Sequence, residues 1–174
     1  MAQRILFVRA VNVGGASLPM AEFRELLGSL GARNVRTYIA SGNAVLDLDG
    51  DPDAFDRAVE KGLTERYGYV REVMSRTAEE LRAALEAHPF EVVDEKWSYV
   101  SFLAGEPTPA AIEAAASVKT GDDLWQVIGR ELHLRYANGA GTATLNQEAL
   151  TRKLGVPATA RNLRTVRALL ALSG

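Results

Sequence analysis

Cysteine is absent from the 174 residues, which excludes disulfides, thiolate nucleophiles and cysteine-based zinc sites. Histidine is nearly as scarce, with His88 and His133 the only two. The first precedes a proline at a predicted helix end and the second falls within a predicted strand, so no metal site is expected from their spacing. Long apolar runs are missing as well. Met1 to Leu6 sets Arg4 beside an apolar stretch too short for a signal-peptide core or a membrane span. The expectation is a cytoplasmic protein in a reducing compartment, with no membrane partner. No Walker loop, G-x-G-x-x-G fingerprint or G-x-S-x-G elbow occurs, and no cofactor is expected.

What is present is ordinary globular material: 47% hydrophobic and 24% charged residues, enough to build a core. The length suits one compact domain or two modules of roughly 90 residues. Net charge is -2, but its distribution is uneven. Asp47 to Glu95 holds fourteen acids and six bases, whereas Arg152, Lys153, Arg161, Arg164 and Arg167 follow Glu148 with no acid among them. Such a tail is either a solvated helical surface or a patch for an anionic partner.

Two stretches share one order of elements. Arg4 to Val11 reads as a buried strand. Pro19 suits a first helical position, and Met20, Phe23, Leu26, Leu27 and Leu30 recur at helical spacing up to Gly31. Val35 to Ile39 and Ala44 to Leu48 form a hairpin around Ser41-Gly42-Asn43. Asp51-Pro52 caps a helix to about Arg66, Tyr69 to Met74 closes the unit as a strand, and Thr77-Ala78-Glu79-Glu80 is a capping box for a trailing helix. The order then begins again. Trp97 to Leu103 is a strand, Thr108-Pro109 caps a helix, and Leu124 to Ile128 with Leu132 to Tyr136 makes a hairpin. Thr144 and Gln147 form a second capping box, Val156 to Ala160 is extended, and Asn162 caps the last helix. The fold class is therefore α+β: two tandem ferredoxin-like βαββαβ units with antiparallel sheets, each followed by an extra helix, over 1–90 and 91–174.

In such a unit the first and third strands are neighbours. The loop after the first strand (Asn12, Gly14, Gly15) then converges with the start of the third (Ser41, Gly42, Asn43) at one rim of the sheet. Arg9 and Arg36 flank this rim. Gly14-Gly15 precedes a helix N-terminus suited to an anion, and the arginines can add charge-assisted bonds. The same residues can equally serve the backbone, with glycine supplying positive φ and the polar side chains tying the loops together. Asn138-Gly139-Ala140-Gly141-Thr142 repeats the glycine-rich strand-to-helix pattern and reads as an anion loop or a flexible connector. Trp97 and Tyr99 share a strand face, suited to a sheet-to-sheet contact or a homodimer. Bases have no RNP-type aromatic platform to stack on.

Arg9, Asn12-Val13-Gly14-Gly15, Arg36-Thr37-Tyr38, Ser41-Gly42-Asn43 and Thr159-Ala160-Arg161-Asn162 together resemble the mainly bacterial family called domain of unknown function 1697. The resemblance implies the same fold and almost nothing about activity. Arg161 and Asn162 join the candidate site on their own chemistry: Asn162 is accounted for as an N-cap, and Arg161, with Arg164 and Arg167, can bind phosphates or shield the chain end. Two positions depart from the family pattern, Ala10 for glycine and Leu163 for tryptophan, and the second leaves no ring there to stack on a ligand. Three functional readings follow: a module that binds an anionic small molecule or nucleic-acid phosphate at the rim, a structural or protein-interaction module with no ligand, and, third, an enzyme.

Overall fold

The computed structural model describes residues 2–9, 17–69 and 71–174. The first unit contains β1 (Ala2–Val8), α1 (Met20–Ser29), β2 (Arg33–Thr37), β3 (Asn43–Leu48), α2 (Pro52–Tyr67) and β4 (Val73–Arg76), followed by α3 (Ala78–Ala87). The second repeats it as β5 (Ser98–Leu103), α4 (Pro109–Ala115), β6 (Leu124–Ile128), β7 (Glu131–Arg135), α5 (Gln147–Leu154) and β8 (Ala158–Asn162), followed by α6 (Leu163–Ser173). The sheets run β2-β3-β1-β4 and β6-β7-β5-β8, and every pairing is antiparallel. These are the two ferredoxin-like units that the element order implies, since a right-handed crossover on each side of a hairpin leaves the first and third strands adjacent.

Each unit has its own core on the helix-covered side of its sheet. In the first, Leu6, Val8, Leu46 and Val73 from the strands meet Phe23 and Leu27 of α1 and Val59 and Leu63 of α2, all buried. In the second, Leu103, Leu132, Leu134 and Ala158 meet Ala115, Leu150 and Leu154. Tyr99 belongs to this second core, edge-on to Tyr136 at 5.4 Å. It therefore packs under its own helices, which corrects the sheet-to-sheet role its spacing suggests.

Helix starts follow the capping chemistry. Thr77 and Glu80 close a reciprocal box, with Thr77 N–H donating to Glu80 Oε2 at 2.8 Å and Glu80 N–H to Thr77 Oγ1 at 3.1 Å. Asp51, Thr108 and Asn162 accept from Asp53, Ala111 and Thr165. Helix α5 is the exception: its cap is Asn146, whose Oδ1 accepts Ala149 N–H at 3.0 Å, because the Thr144 N–H is already bonded elsewhere. Strands β4 and β8 lie later than the apolar runs Tyr69–Met74 and Val156–Ala160 suggest. Both end on an arginine or its neighbour, residue types that a hydrophobic pattern rejects.

By contact the chain divides into one unit that runs to Arg82 and takes in Ala168–Gly174, and another that is Ala83–Arg167. This contact division falls within α3.

Candidate functional site

Phe7 of β1 stands opposite Asn43 of β3, and Val8 N–H donates to Gly42 O at 2.9 Å. The end of the first strand and the start of the third thus form one rim. Asn12, Gly14 and Gly15 lie outside the described residues, so the part of the rim on view is Arg9, Arg36, Ser41, Gly42 and Asn43.

Of these, Ser41 and Asn43 are bonded to each other. Asn43 is wholly buried, and its Nδ2 donates to Ser41 Oγ at 2.9 Å and Tyr38 O at 3.3 Å. Tyr38 N–H returns a bond to Asn43 O at 3.2 Å. Asn43 therefore closes the β2–β3 connection with side chain and backbone together. The connection is tight: Gly42 has φ +79, and Ile39 has φ +48 while 54% exposed. A β-branched residue in the left-handed region is strained, and the strain is held by the bonds around Asn43. Arg9 Nη1 lies 3.4 Å from both Glu72 carboxylate oxygens, and its N–H donates to Glu72 O at 3.0 Å. Arg36 is exposed on the edge strand β2.

Arg161 and Asn162 belong to the second unit, and their repeat counterparts are Arg76 and Thr77. Arg76 stands opposite Ile5 of β1, and Arg161 opposite Val100 of β5. Each guanidinium donates from Nη1 to the preceding carbonyl, at 3.1 Å to Ser75 O and 2.9 Å to Ala160 O. Each is followed by the residue that caps the trailing helix. Burial lowers the Arg161 pKa to about 10. Arg76 is 2% exposed. An arginine directly before a helix cap in both halves is the sequence signal that could have found this pair.

Three further polar clusters were not legible as such. Asp123 in the second unit is buried, and its carboxylate accepts Ala137 N–H at 2.8 Å, Thr144 N–H at 2.8 Å and Leu145 N–H at 3.0 Å. The glycine-rich segment 138–142, a 3-10 turn over Ala140–Thr142, is thus held at both flanks by the protein's own carboxylate. Asp56 on α2 accepts Ser75 Oγ–H at 2.9 Å, while Arg4 donates to that same oxygen from Nε and Nη2 at 3.2 and 2.9 Å. Burial raises the Asp56 pKa to about 6 against the opposing pull of Ser75, Arg4 and Arg57. Its Oδ1 has no hydrogen-bond partner.

The third cluster joins the two histidines, which sequence spacing left apart: His88 Nδ1 and His133 Nδ1 are 2.9 Å apart. One ring must donate and the other accept, so the pair holds complementary tautomers. Burial, and secondarily the charge of His88, lowers the His133 pKa to about 4; burial lowers that of His88. Both Nε2 atoms are buried without a partner. Among the described residues no group of three or more histidine or acidic side chains is placed to hold a metal ion.

The basic tail is partly absorbed by structure. Arg152 and Lys153 lie in the last turn of α5, where cations oppose the helix dipole. Arg167 Nε donates to Glu95 Oε2 at 2.8 Å. A groove of about 440 Å³ lies between α1 and α2, lined by Leu26, Lys61, Gly62, Glu65 and Arg66 among others, with none of the rim residues in its wall. No helix among the described residues is long and apolar enough to cross a membrane.

Fold and polar clusters together define an α+β protein of two like-ordered antiparallel sheet units in which Asn43 and Asp123 are tied to the protein's own loops. The chain belongs to the family described as Protein of unknown function (DUF1697), whose model matches residues 1–133. The Thr159–Asn162 motif lies beyond that match. The structure of the conserved bacterial protein SP0830 from Streptococcus pneumoniae is similar, with a TM-score of 0.73 and 22% identity over 99% of this chain and 98% of that one. That likeness shows the fold alone. No curated protein matches the chain.

Proposed function

We propose that this protein is an interaction module, in which the rim residues Arg9, Ser41 and Asn43 hold the loops in shape and a partner is met on other surfaces. The observation that carries this reading is Asn43: it is fully buried, and its amide is bonded within its own hairpin. A ligand-holding asparagine has to present its amide to the ligand. Asn43→Ala tests the reading. Loss of a buried bonded amide costs about 1–3 kcal/mol, so a lower melting temperature is expected, with no saturable binding of nucleotides or short oligonucleotides by the wild type. Saturable binding that Asn43→Ala abolishes while the fold stays intact would refute it.

A second reading retains an anionic small molecule or nucleic-acid phosphate at the same rim. It is favoured by Arg9, which directly follows the residue bonded to Gly42 and is 35% exposed at its side chain. An anion binding there has to displace Glu72 from the guanidinium. Arg9→Ala would then weaken phosphate binding, whereas Glu72→Gln would strengthen it.

A further inference from the structure

The outer hairpin strands of the two sheets are built differently. In the first unit β2 carries Arg33 and Arg36, and its register with β3 shifts between them, where Asn34 has φ +52. Charge and a bulge keep an open edge from pairing with another chain. Strand β6 occupies the corresponding place in the second sheet and has neither device. Leu124-Trp125-Gln126-Val127-Ile128 contains no charge, proline or glycine, runs in unbroken register with β7, and has no strand on its other side among the described residues. Leu124 is 40% exposed, and Gln126 is exposed beside it.

The two-residue turn Gly129-Arg130 decides which backbone groups of β6 face outward. Ile128 and Glu131 close the hairpin, so the pairs at Ile128, Gln126 and Leu124 exchange hydrogen bonds with β7. The N–H and C=O of Trp125 and Val127 then point to the open side.

We propose that β6 pairs with β6 of a second copy of this chain, antiparallel about a two-fold axis at Gln126. The strand is complementary to itself in that register. Trp125 meets Val127 of the partner subunit, with outward N–H and C=O groups on both, and Leu124 meets Ile128 of the partner subunit. The two Gln126 amides face each other on the axis. A foreign strand has no reason to match apolar and amide positions in this order, whereas a second copy does so by symmetry. The product is one continuous eight-stranded sheet. Five paired residues make a small interface, so the dimer is weak and concentration-dependent.

The inference rests on the interaction reading above and names its partner. The test is sedimentation of the full chain from about 10 µM to about 1 mM, the range in which small interfaces assemble. The mass is expected to rise from 18.8 kDa toward twice that value. Gln126→Lys places two ammonium groups on the axis and raises the dissociation constant about tenfold or more. Its melting temperature at low concentration matches the wild type, because the side chain is already exposed. Val127→Pro removes an outward donor and also gives monomer, together with part of a side chain that packs on the second core. A chain that stays at 18.8 kDa at the highest concentration, or a dimer indifferent to Gln126→Lys, would overturn the proposal. None of these results touches the Asn43→Ala test, so self-pairing can fail while the interaction reading stands.

Discussion

Replacing Asp56 by asparagine should make the first unit more stable at neutral pH and leave it nearly unchanged in mild acid. The carboxyl is 4% exposed, and burial outweighs Ser75, Arg4 and Arg57, so its pKa rises from 3.8 to about 6. A raised carboxyl pKa means the folded state holds the proton more tightly than the unfolded one. The stabilisation is therefore complete below the unfolded value and is lost as pH climbs through the folded one. A shift of about 2 units at 1.36 kcal/mol per unit gives a penalty of about 3 kcal/mol by pH 7.5, and under about 1 kcal/mol at pH 4. Asparagine keeps an oxygen for the Ser75 hydroxyl and carries no charge, so it escapes the penalty. Its amide meets the same unpartnered surroundings as a protonated carboxyl, which makes the difference between the two pH values cleaner than either value alone. Urea denaturation and native-state hydrogen exchange at Leu6 and Val73 at both pH values would measure it. The reasoning fails if the variant gains nothing between pH 4 and 7.5, or loses ground. Either result would mean that the arginines win and the ionised carboxylate stabilises the fold.

In the second unit the sign reverses. His133 is wholly buried with a pKa lowered to about 4, so its contribution is present above 6.5 and about 3 kcal/mol of it is lost as pH falls toward 4. Trp97 and Trp125, the only tryptophans, both lie in this unit, so fluorescence-monitored unfolding should show that loss in the wild type and a flatter profile in His133→Gln; equal slopes would contradict it. Asp123→Ala strands three backbone N–H groups and should cost about 3–5 kcal/mol in the same assay, with faster exchange at Thr144 and Leu145; a cost under about 1 kcal/mol would show that the loop holds itself. Gly121→Ala combines φ +55 with a Cβ position 2.9 Å from Thr144 Oγ1 and should cost about 1–3 kcal/mol; a neutral result would show that Thr144 yields.

Periodicity and capping residues were enough to read the element order and the strand adjacency of both units. The β6–β7 hairpin was readable because Gly129-Arg130 separates two runs of strand formers. Helix α3 was readable because Thr77 and Glu80 have no better use than a capping box. Strand β4 was not, because its residues include Ser75 and the buried Arg76, whereas the more apolar-looking Tyr69 spends its ring stacking on Tyr67 at 5.8 Å. The cap at Thr144 failed for a related reason: its N–H answers to Asp123, 21 residues earlier. Likewise the candidate rim was foreseeable as a meeting of two loops, since topology alone dictates it. What its residues do there depended on bonds such as Asn43 to Tyr38 and Arg9 to Glu72, and pairings across a fold leave no period in the chain.

The division of the chain also spaces its biosynthesis. Residues 83–167 form one unbroken stretch, whereas residues 168–174 group by contact with the unit that runs to Arg82. A ribosome therefore makes residues 83–167 in one run, between two parts of the chain that group together.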